Sequence, residues 1–146
     1  MAKIKPISFD LIKIDTIQFA VISDSFREDC EIKLFPEFKV GADDKLRTVN
    51  TGFEAKFTCE GNAFIILEIS CNFQLEEKSF QQLFVEKERL SLPKDFITHL
   101  MMLTIGITRG VLYEKLKSTD FKDFYLPSIN LKELIKEDFL LERTES

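Results

Sequence analysis

The sequence is poor in the residues on which most enzyme active sites depend. Among 146 residues there is one histidine, His99, no tryptophan and only five glycines. A single histidine and three widely spaced cysteines do not form a zinc-ligand pattern, and five dispersed glycines form no phosphate-binding loop. A cysteine–histidine nucleophile would require one cysteine to face His99, which no local pattern supports. We therefore expect a non-enzymatic protein with no cofactor and no metal.

Cysteines and long apolar runs are also scarce. The three cysteines, Cys30, Cys59 and Cys71, are odd in number and far apart, which favours reduced thiols in strands over a disulfide framework. No segment reaches the ~18 apolar residues of a membrane-spanning helix, and the first residues lack the apolar core of a signal peptide. These absences predict a cytoplasmic chain with no membrane span.

Acidic charge and phenylalanine are what the composition does supply. The formal net charge is −5, which argues against nucleic-acid backbones and anionic membranes as the main partners. The chain has 15 phenylalanines, whose side chains bury a large area and require no hydrogen bond. Hydrophobic residues make up 45% and charged residues 31% of the sequence, as in globular proteins. We expect residues 1–146 to form a single domain.

The first half of the chain has the two-residue period of β-strands. Apolar side chains alternate with polar ones within residues 12–21, 30–34, 53–59 and 65–75. The phase slips once near Asp15 and Thr16, which indicates a bulge, and residues 60–62 supply a hairpin turn. Four strands joined in series by short turns predict an antiparallel sheet with one face in solvent.

The second half has a helical period, and after Pro93 we predict a long helix over residues 94–117. Its middle carries almost no charge, which is unusual for a helix on a single sheet and indicates cover on two sides. Gly106 and Gly110 lie one turn apart on one face, where two backbones could approach closely. We therefore predict an oligomer interface at His99, Met102, Gly106 and Gly110.

Two segments around the long helix complete the predicted fold. Asn130 is a suitable helix N-cap and Glu133 fits a capping box, so we predict a final helix over residues 131–141. Residues 77–92 are compatible with either a short helix or an extended crossover. The predicted fold is α+β: a four-stranded antiparallel sheet followed by a long helix and a C-terminal helix.

Two groups of large apolar side chains flank the long helix. The first comprises Phe80, Leu83, Phe84 and Val85, and the second comprises Phe121, Phe124, Tyr125 and Leu126. An exposed apolar patch of this size usually marks an interaction site. The alternative is that both groups pack on the sheet as part of the core. Because they flank one helix, we favour a polypeptide-binding groove.

A two-part motif near the end of the chain resembles the carboxy-terminal half of SecB-type export chaperones. Its parts are Ile-Thr-Arg-Gly at residues 107–110 and Leu-Pro-Ser-Ile-Asn-Leu-Lys-Glu-Leu at residues 126–134. In that family a long helix ends in a Ser/Thr-Arg-Gly step, and a Pro-x-(Val/Ile)-Asn-(Leu/Phe) signature opens the last helix. The order of four strands and two helices also matches over nearly the whole chain.

The resemblance implies a homotetramer, a dimer of dimers whose long helices are sandwiched between sheets. It also implies an ATP-independent holdase that keeps unfolded polypeptides or preproteins ready for export, often through the SecA motor. Residues 77–92 depart from the glycine-rich and aromatic crossover of the family, because they contain no glycine and many charges. The alternatives are a SecB-like module dedicated to one partner, such as an antitoxin, and an enzyme or small-ligand carrier with a pocket beside the sheet.

Overall fold

Four long strands form the main sheet of the protein. The computed structural model describes residues 6–86 and 88–142, with strands β1 (Phe9–Val21), β2 (Ile32–Asp43), β3 (Thr48–Cys59) and β4 (Asn62–Leu75). They lie in the order β1-β4-β3-β2, and every neighbouring pair is antiparallel. The four predicted strands and the predicted α+β class are confirmed.

Alternation of side chains gives this sheet one apolar and one polar face. On the inner face, Phe53 of β3 lies opposite Ile69 of β4, and both side chains are fully buried. On the outer face, Asn50 donates hydrogen bonds to Ser70 and Asn72 at 2.7 and 2.8 Å. Burial on one face fixes the strand register, because a slip of one residue would expose every apolar side chain.

The predicted turn and bulge are both present. Glu60 and Gly61 join β3 to β4 with φ angles of 51° and 86°, the positive values that a tight two-residue hairpin turn requires. The predicted phase slip in β1 is confirmed as a bulge at Ile17, and β1 has a second bulge at Ile12. Bulges of this kind twist an edge strand away from regular pairing.

Helix α2 (Lys94–Leu116) covers the middle of the inner face, and its bounds agree with the predicted long helix. It packs on β3 and β4, where the buried hydroxyl of Thr104 is hydrogen-bonded to that of Thr51. By length and composition α2 could also cross a membrane, a property that it shares with the core helices of globular proteins. Its position on the sheet makes it the central element of the core.

The segment between β4 and α2 contains both a short helix and extended structure. Helix α1 (Glu77–Gln81) is followed by strands β5 (Phe84–Glu86) and β6 (Arg89–Leu92). Strand β7 (Phe139–Glu142) pairs with β6, so a second sheet has the order β5-β6-β7. Because β7 contacts β2, this second sheet lies at the β2 side of the main sheet.

The predicted final helix over residues 131–141 is wrong beyond its first turn. Helix α3 spans only Leu131–Leu134, and the predicted N-cap Asn130 accepts a hydrogen bond from the Lys132 amide at 3.2 Å. Two long-range interactions compete with a longer helix. The carboxylate of Asp138 accepts a hydrogen bond from the Lys94 amide at the start of α2, at 2.8 Å, and the residues that follow pair with β6.

The expectation of three reduced thiols is also wrong, because Cys30 and Cys59 form a disulfide. The strand order requires the connection after β1 to pass the ends of β4 and β3 before it reaches the opposite edge. This path brings Cys30 beside the end of β3, with the two Cα atoms 5.5 Å apart. Cys71 is free and lies on the inner face, where burial raises the pKa of its thiol.

Removal of the disulfide should lower the free energy of unfolding. The bonded residues have a sequence separation of 29. In the chain-entropy account, closing such a loop is worth roughly 3 to 4 kcal/mol. We expect Cys30→Ser/Cys59→Ser to lose about this amount in urea unfolding. Reduced wild-type protein is the matched control and should behave like the variant. Equal stability of the variant and the oxidised protein would contradict this account.

Candidate interaction surfaces

One face of α2 points to solvent and carries almost no charge. We call it the helix stripe, and it comprises His99, Met102, Gly106, Gly110 and Tyr113. At about 100° per residue these positions fall within one narrow sector of the helix. The side chains of Met102 and Tyr113 are 60% and 54% exposed. The residues of the predicted oligomer interface therefore lie together on one accessible face.

The two glycines of the helix stripe form notches that the protomer does not fill. A Cβ atom built at Gly106 or Gly110 would have no heavy atom of another element within 4 Å. The close approach predicted for these glycines is therefore not an approach to the protein's own sheet. A second molecule could come nearer to the main chain of α2 here than at its other exposed positions.

Apolar surface continues from the helix stripe onto β1. Phe9, at the start of β1, packs against His99 with ring centroids 5.8 Å apart, and Phe19, near its end, lies 5.1 Å from a lysine ammonium of α2. β1 therefore runs alongside α2. Between these contacts, Leu11 and Ile14 lie opposite inner-face residues of β4 and are exposed. The inner face is thus partly uncovered along this edge.

The first predicted binding cluster is divided between core and surface. Phe80 and Leu83 are buried. Phe84 is half-buried and packs on Phe80 with ring centroids 5.6 Å apart, whereas Val85 is 59% exposed. Val85 is therefore the member of this cluster that a bound polypeptide could reach most easily.

The second predicted cluster is divided in the same way. Phe121 and Leu126 are buried and Phe124 is half-buried. Tyr125, in contrast, is 57% exposed. The alternative that these groups belong to the core therefore describes six of their eight residues, and the groove hypothesis is left with Val85 and Tyr125.

Five phenylalanine rings form an aromatic cluster beside the β3–β4 turn, with contacting ring centroids 5.0–6.4 Å apart. Its members are Phe26, Phe57, Phe64, Phe121 and Phe124. Phe26 and Phe64 could not be predicted as members, because Phe26 lies in an irregular connection and Phe64 lies at a shift in strand register. No periodic signal marks either position. The cluster explains why Phe121 and Phe124, in the segment after α2, are covered rather than exposed.

Arg109 joins the two parts of the motif. Its Nε and Nη2 atoms donate hydrogen bonds of 3.0 Å to the carbonyl oxygens of Leu126 and Pro127. A planar guanidinium suits two neighbouring acceptors, whereas a lysine ammonium would not bind both in this way. The two motif parts therefore have a structural reason to occur together, because α2 holds the loop that follows it.

Groups with shifted pKa values do not gather at a pocket in the described part of the chain. Hydrogen bonds to glutamates raise the pKa values of Lys39 and Lys117, and burial raises that of Cys71. A surface depression of ≈ 410 Å³ is lined by residues 134–139, and one of ≈ 810 Å³ is lined mainly by residues 76–82. Lys39, Cys71 and Lys117 line neither of them. Within residues 6–86 and 88–142, no histidine, cysteine or carboxylate cluster could hold a metal.

No family model, no curated protein and no solved structure matches this chain. The resemblance to SecB-type chaperones therefore stays a prediction that depends on the motif residues and on the order of elements.

The buried and exposed members of the second cluster should respond differently to truncation. Phe121→Ala removes a buried ring and should lower the free energy of unfolding by about 3 to 5 kcal/mol. Tyr125→Ala changes an exposed position and should alter it by less than about 0.5 kcal/mol. Urea unfolding measures both values. If the two variants lose equal stability, the division of this cluster into core and surface is incorrect.

Proposed function

We propose that the protein is a non-enzymatic homo-oligomer that binds non-native polypeptides without ATP, as a holdase. The observation that carries the oligomeric part of this proposal is the helix stripe, an exposed and uncharged face of α2 with two glycine notches. In an isolated protomer such a face leaves apolar area in water, and contiguous patches of this kind mark interaction sites. The occupant that fits it best is a second copy of the same chain.

The helix stripe is self-complementary about Gly106. Met102 and Gly110 lie four residues to either side of it, and His99 and Tyr113 lie seven residues to either side. Spacings of four and seven keep these residues on one helix face. If two antiparallel copies of α2 cross at Gly106, each Met102 faces a Gly110 notch. Such an isologous contact, in which the same patch meets itself, is the usual basis of a twofold dimer.

The charged residues at the two ends of α2 follow the same symmetry. Asp95 and Lys117 lie eleven residues to either side of Gly106, and both are exposed. In the crossed arrangement each Asp95 faces a Lys117, which gives two ion pairs at the rim of the contact. In the protomer, Lys117 pairs with Glu114 at 2.8 Å, an exposed contact of little energetic value. This charge complementarity favours a second copy over an unrelated partner.

Apolar surface outside the helix stripe supports the binding of polypeptides. Leu11 and Ile14 are exposed on β1, and Val85 and Tyr125 are exposed beside the second sheet and in the loop after α2. Extended segments would bind there by burying side chains at roughly 25 cal/mol per Å², and free strand edges would add backbone pairing. Many weak contacts give affinity without sequence specificity, as a holdase requires.

The alternative is a module that binds one dedicated partner, such as an antitoxin. The second sheet favours it, because residues 77–92 form a short helix and two strands where SecB-type chaperones have a glycine-rich crossover. An ordered surface presents one shape and so discriminates between partners. Pull-down from lysate separates the two functions, since one dominant partner favours the module and many unfolded clients favour the holdase. Delivery of clients to the SecA motor belongs to the holdase proposal alone.

A cytoplasmic location is part of the proposal. Thiol reductants in that compartment keep most cysteine pairs reduced. The bond between Cys30 and Cys59 would therefore depend there on the redox state of the cell.

Charge reversal tests the crossed-helix contact. Asp95→Lys places like charges together at both ends of α2 and should raise the dissociation constant of the oligomer about tenfold at low salt. Asp95→Lys/Lys117→Asp should restore it, because both ion pairs are rebuilt with reversed sign. Sedimentation velocity measures the association. Two results would contradict this arrangement: a wild-type protein that is monomeric at micromolar concentration, or a double variant that associates as weakly as the single variant.

Filling one notch tests the same contact without weakening the helix. Gly110→Leu should abolish association, because the notch no longer admits Met102. Leucine is a better helix former than glycine by up to about 1 kcal/mol, so lost association cannot be ascribed to a less stable α2. Circular dichroism confirms that the helix is intact, and retained assembly would show that the close approach does not occur.

A holdase should prevent the aggregation of a denatured client without ATP. We expect a stoichiometric excess of this protein to suppress light scattering when a chemically denatured enzyme is diluted into buffer, and to slow its refolding. The physical reason is that client apolar segments become buried on the protein rather than on each other. If scattering and refolding are both unchanged, the holdase function fails and the dedicated module remains.

A further inference from the structure

The last described strand, β7, is seated on the second sheet in the way that a bound peptide would be. It contributes four residues, Phe139 to Glu142, which pair in antiparallel register with Arg89–Leu92 of β6. Without β7, strand β6 would be an edge of the second sheet, since its other neighbour is β5. Addition of an extended segment to a sheet edge is a common mode of peptide recognition.

The side chains of β7 alternate between the protein and solvent. Phe139 lies opposite Leu92 and Leu141 lies opposite Leu90; both leucines of β6 are buried. Phe139 and Leu141 are half-buried and pack against the core, whereas Leu140 between them is 63% exposed. The edge of β6 therefore accepts an extended segment with apolar residues at alternate positions.

β7 is held by its pairing with β6, by contacts with β2 and by the segment that precedes it. The residues that lead into it, 136–138, are exposed, and the hydrogen bond from the Lys94 amide to Asp138 anchors the segment at one end. Its two inward side chains are half-buried rather than fully buried, so each contributes only part of its transfer free energy. Short elements with few buried contacts open locally far more often than the whole domain unfolds.

We propose that the edge of β6 is a binding site for extended polypeptide segments with alternating apolar residues, and that β7 occupies it as an intramolecular ligand. A client segment would pair with β6 when β7 opens, and would place its apolar side chains beside Leu90 and Leu92. This inference rests on the proposed polypeptide-binding function and adds regulation to it. The apparent affinity for a client is reduced by the fraction of molecules in which β7 is closed.

The test uses a fluorescent peptide with the sequence of residues 137–142 as its probe. Phe139→Ala/Leu141→Ala removes both inward side chains of β7 and should raise the affinity for this peptide about tenfold, since the open fraction increases. Leu140→Ala is the matched control, because it truncates the exposed leucine of the same strand and should bind as the wild type does. Fluorescence anisotropy measures the affinities. Equal binding by the double variant and the wild type overturns the inference.

A locked variant covers the case in which the double variant does not fold. Ser91 and Leu140 are paired across β6 and β7, so Ser91→Cys/Leu140→Cys can fix β7 by a disulfide. The oxidised variant should lose measurable binding of the peptide, whereas the wild type retains it. If the locked variant and the wild type bind equally, β7 is not the occupant of a peptide site.

Client aggregation assays separate this inference from the proposed function. If the locked variant and the wild type suppress aggregation equally well, clients do not bind at the edge of β6. The inference then fails and the holdase function stands. If no form suppresses aggregation but Phe139→Ala/Leu141→Ala binds the peptide more tightly than the wild type does, the peptide site at β6 stands and the holdase function fails.

Discussion

The fold depends on the packing of one helix against a sheet that is wider than the helix. Strands lie about 4.8 Å apart and an α-helix with its side chains is about 10 to 12 Å across, so α2 can cover little more than two strands. It covers β3 and β4, where Thr104 meets Thr51 inside the apolar core. Two margins of the inner face, along β1 and β2, are left for other elements or for partners.

The two margins of the inner face are covered to different extents. On the β2 side, the second sheet provides cover, because β7 contacts β2 and pairs with β6. On the β1 side, Leu11 and Ile14 are exposed next to a helix whose outer face is itself apolar. Part of the accessible apolar surface of the protomer therefore lies beside α2.

Local periodicity was sufficient to predict the strands, α2 and the position of the helix stripe. These features depend on residues that are near each other in sequence, such as Met102 and Gly106. The disulfide could not be predicted in this way, because Cys30 meets Cys59 only once the strand order is known. Strand β7 likewise depends on a contact between Asp138 and the start of α2.

The candidate site also has a part that local sequence predicts and a part that depends on distant residues. The sequence identified the exposed face of α2 because the absence of charge is a local property. It could not decide the burial of Phe121, because the rings that cover it belong to distant segments, among them Phe26 and Phe64. Large apolar residues in an irregular segment are compatible with core and with surface. The choice between them depends on partners that only the fold supplies.

The two bulges of β1 bear on solubility at high concentration. An apolar edge strand normally invites edge-to-edge polymerisation, since its free amide and carbonyl groups offer a template to another chain. In β1 the exposed Ile12 and Ile17 lie at interruptions of the register, so the spacing of backbone groups along this edge is irregular. Bulges are one of the features by which edge strands disfavour continuous pairing with another chain. The two bulges are therefore a structural feature that opposes edge-to-edge association along β1.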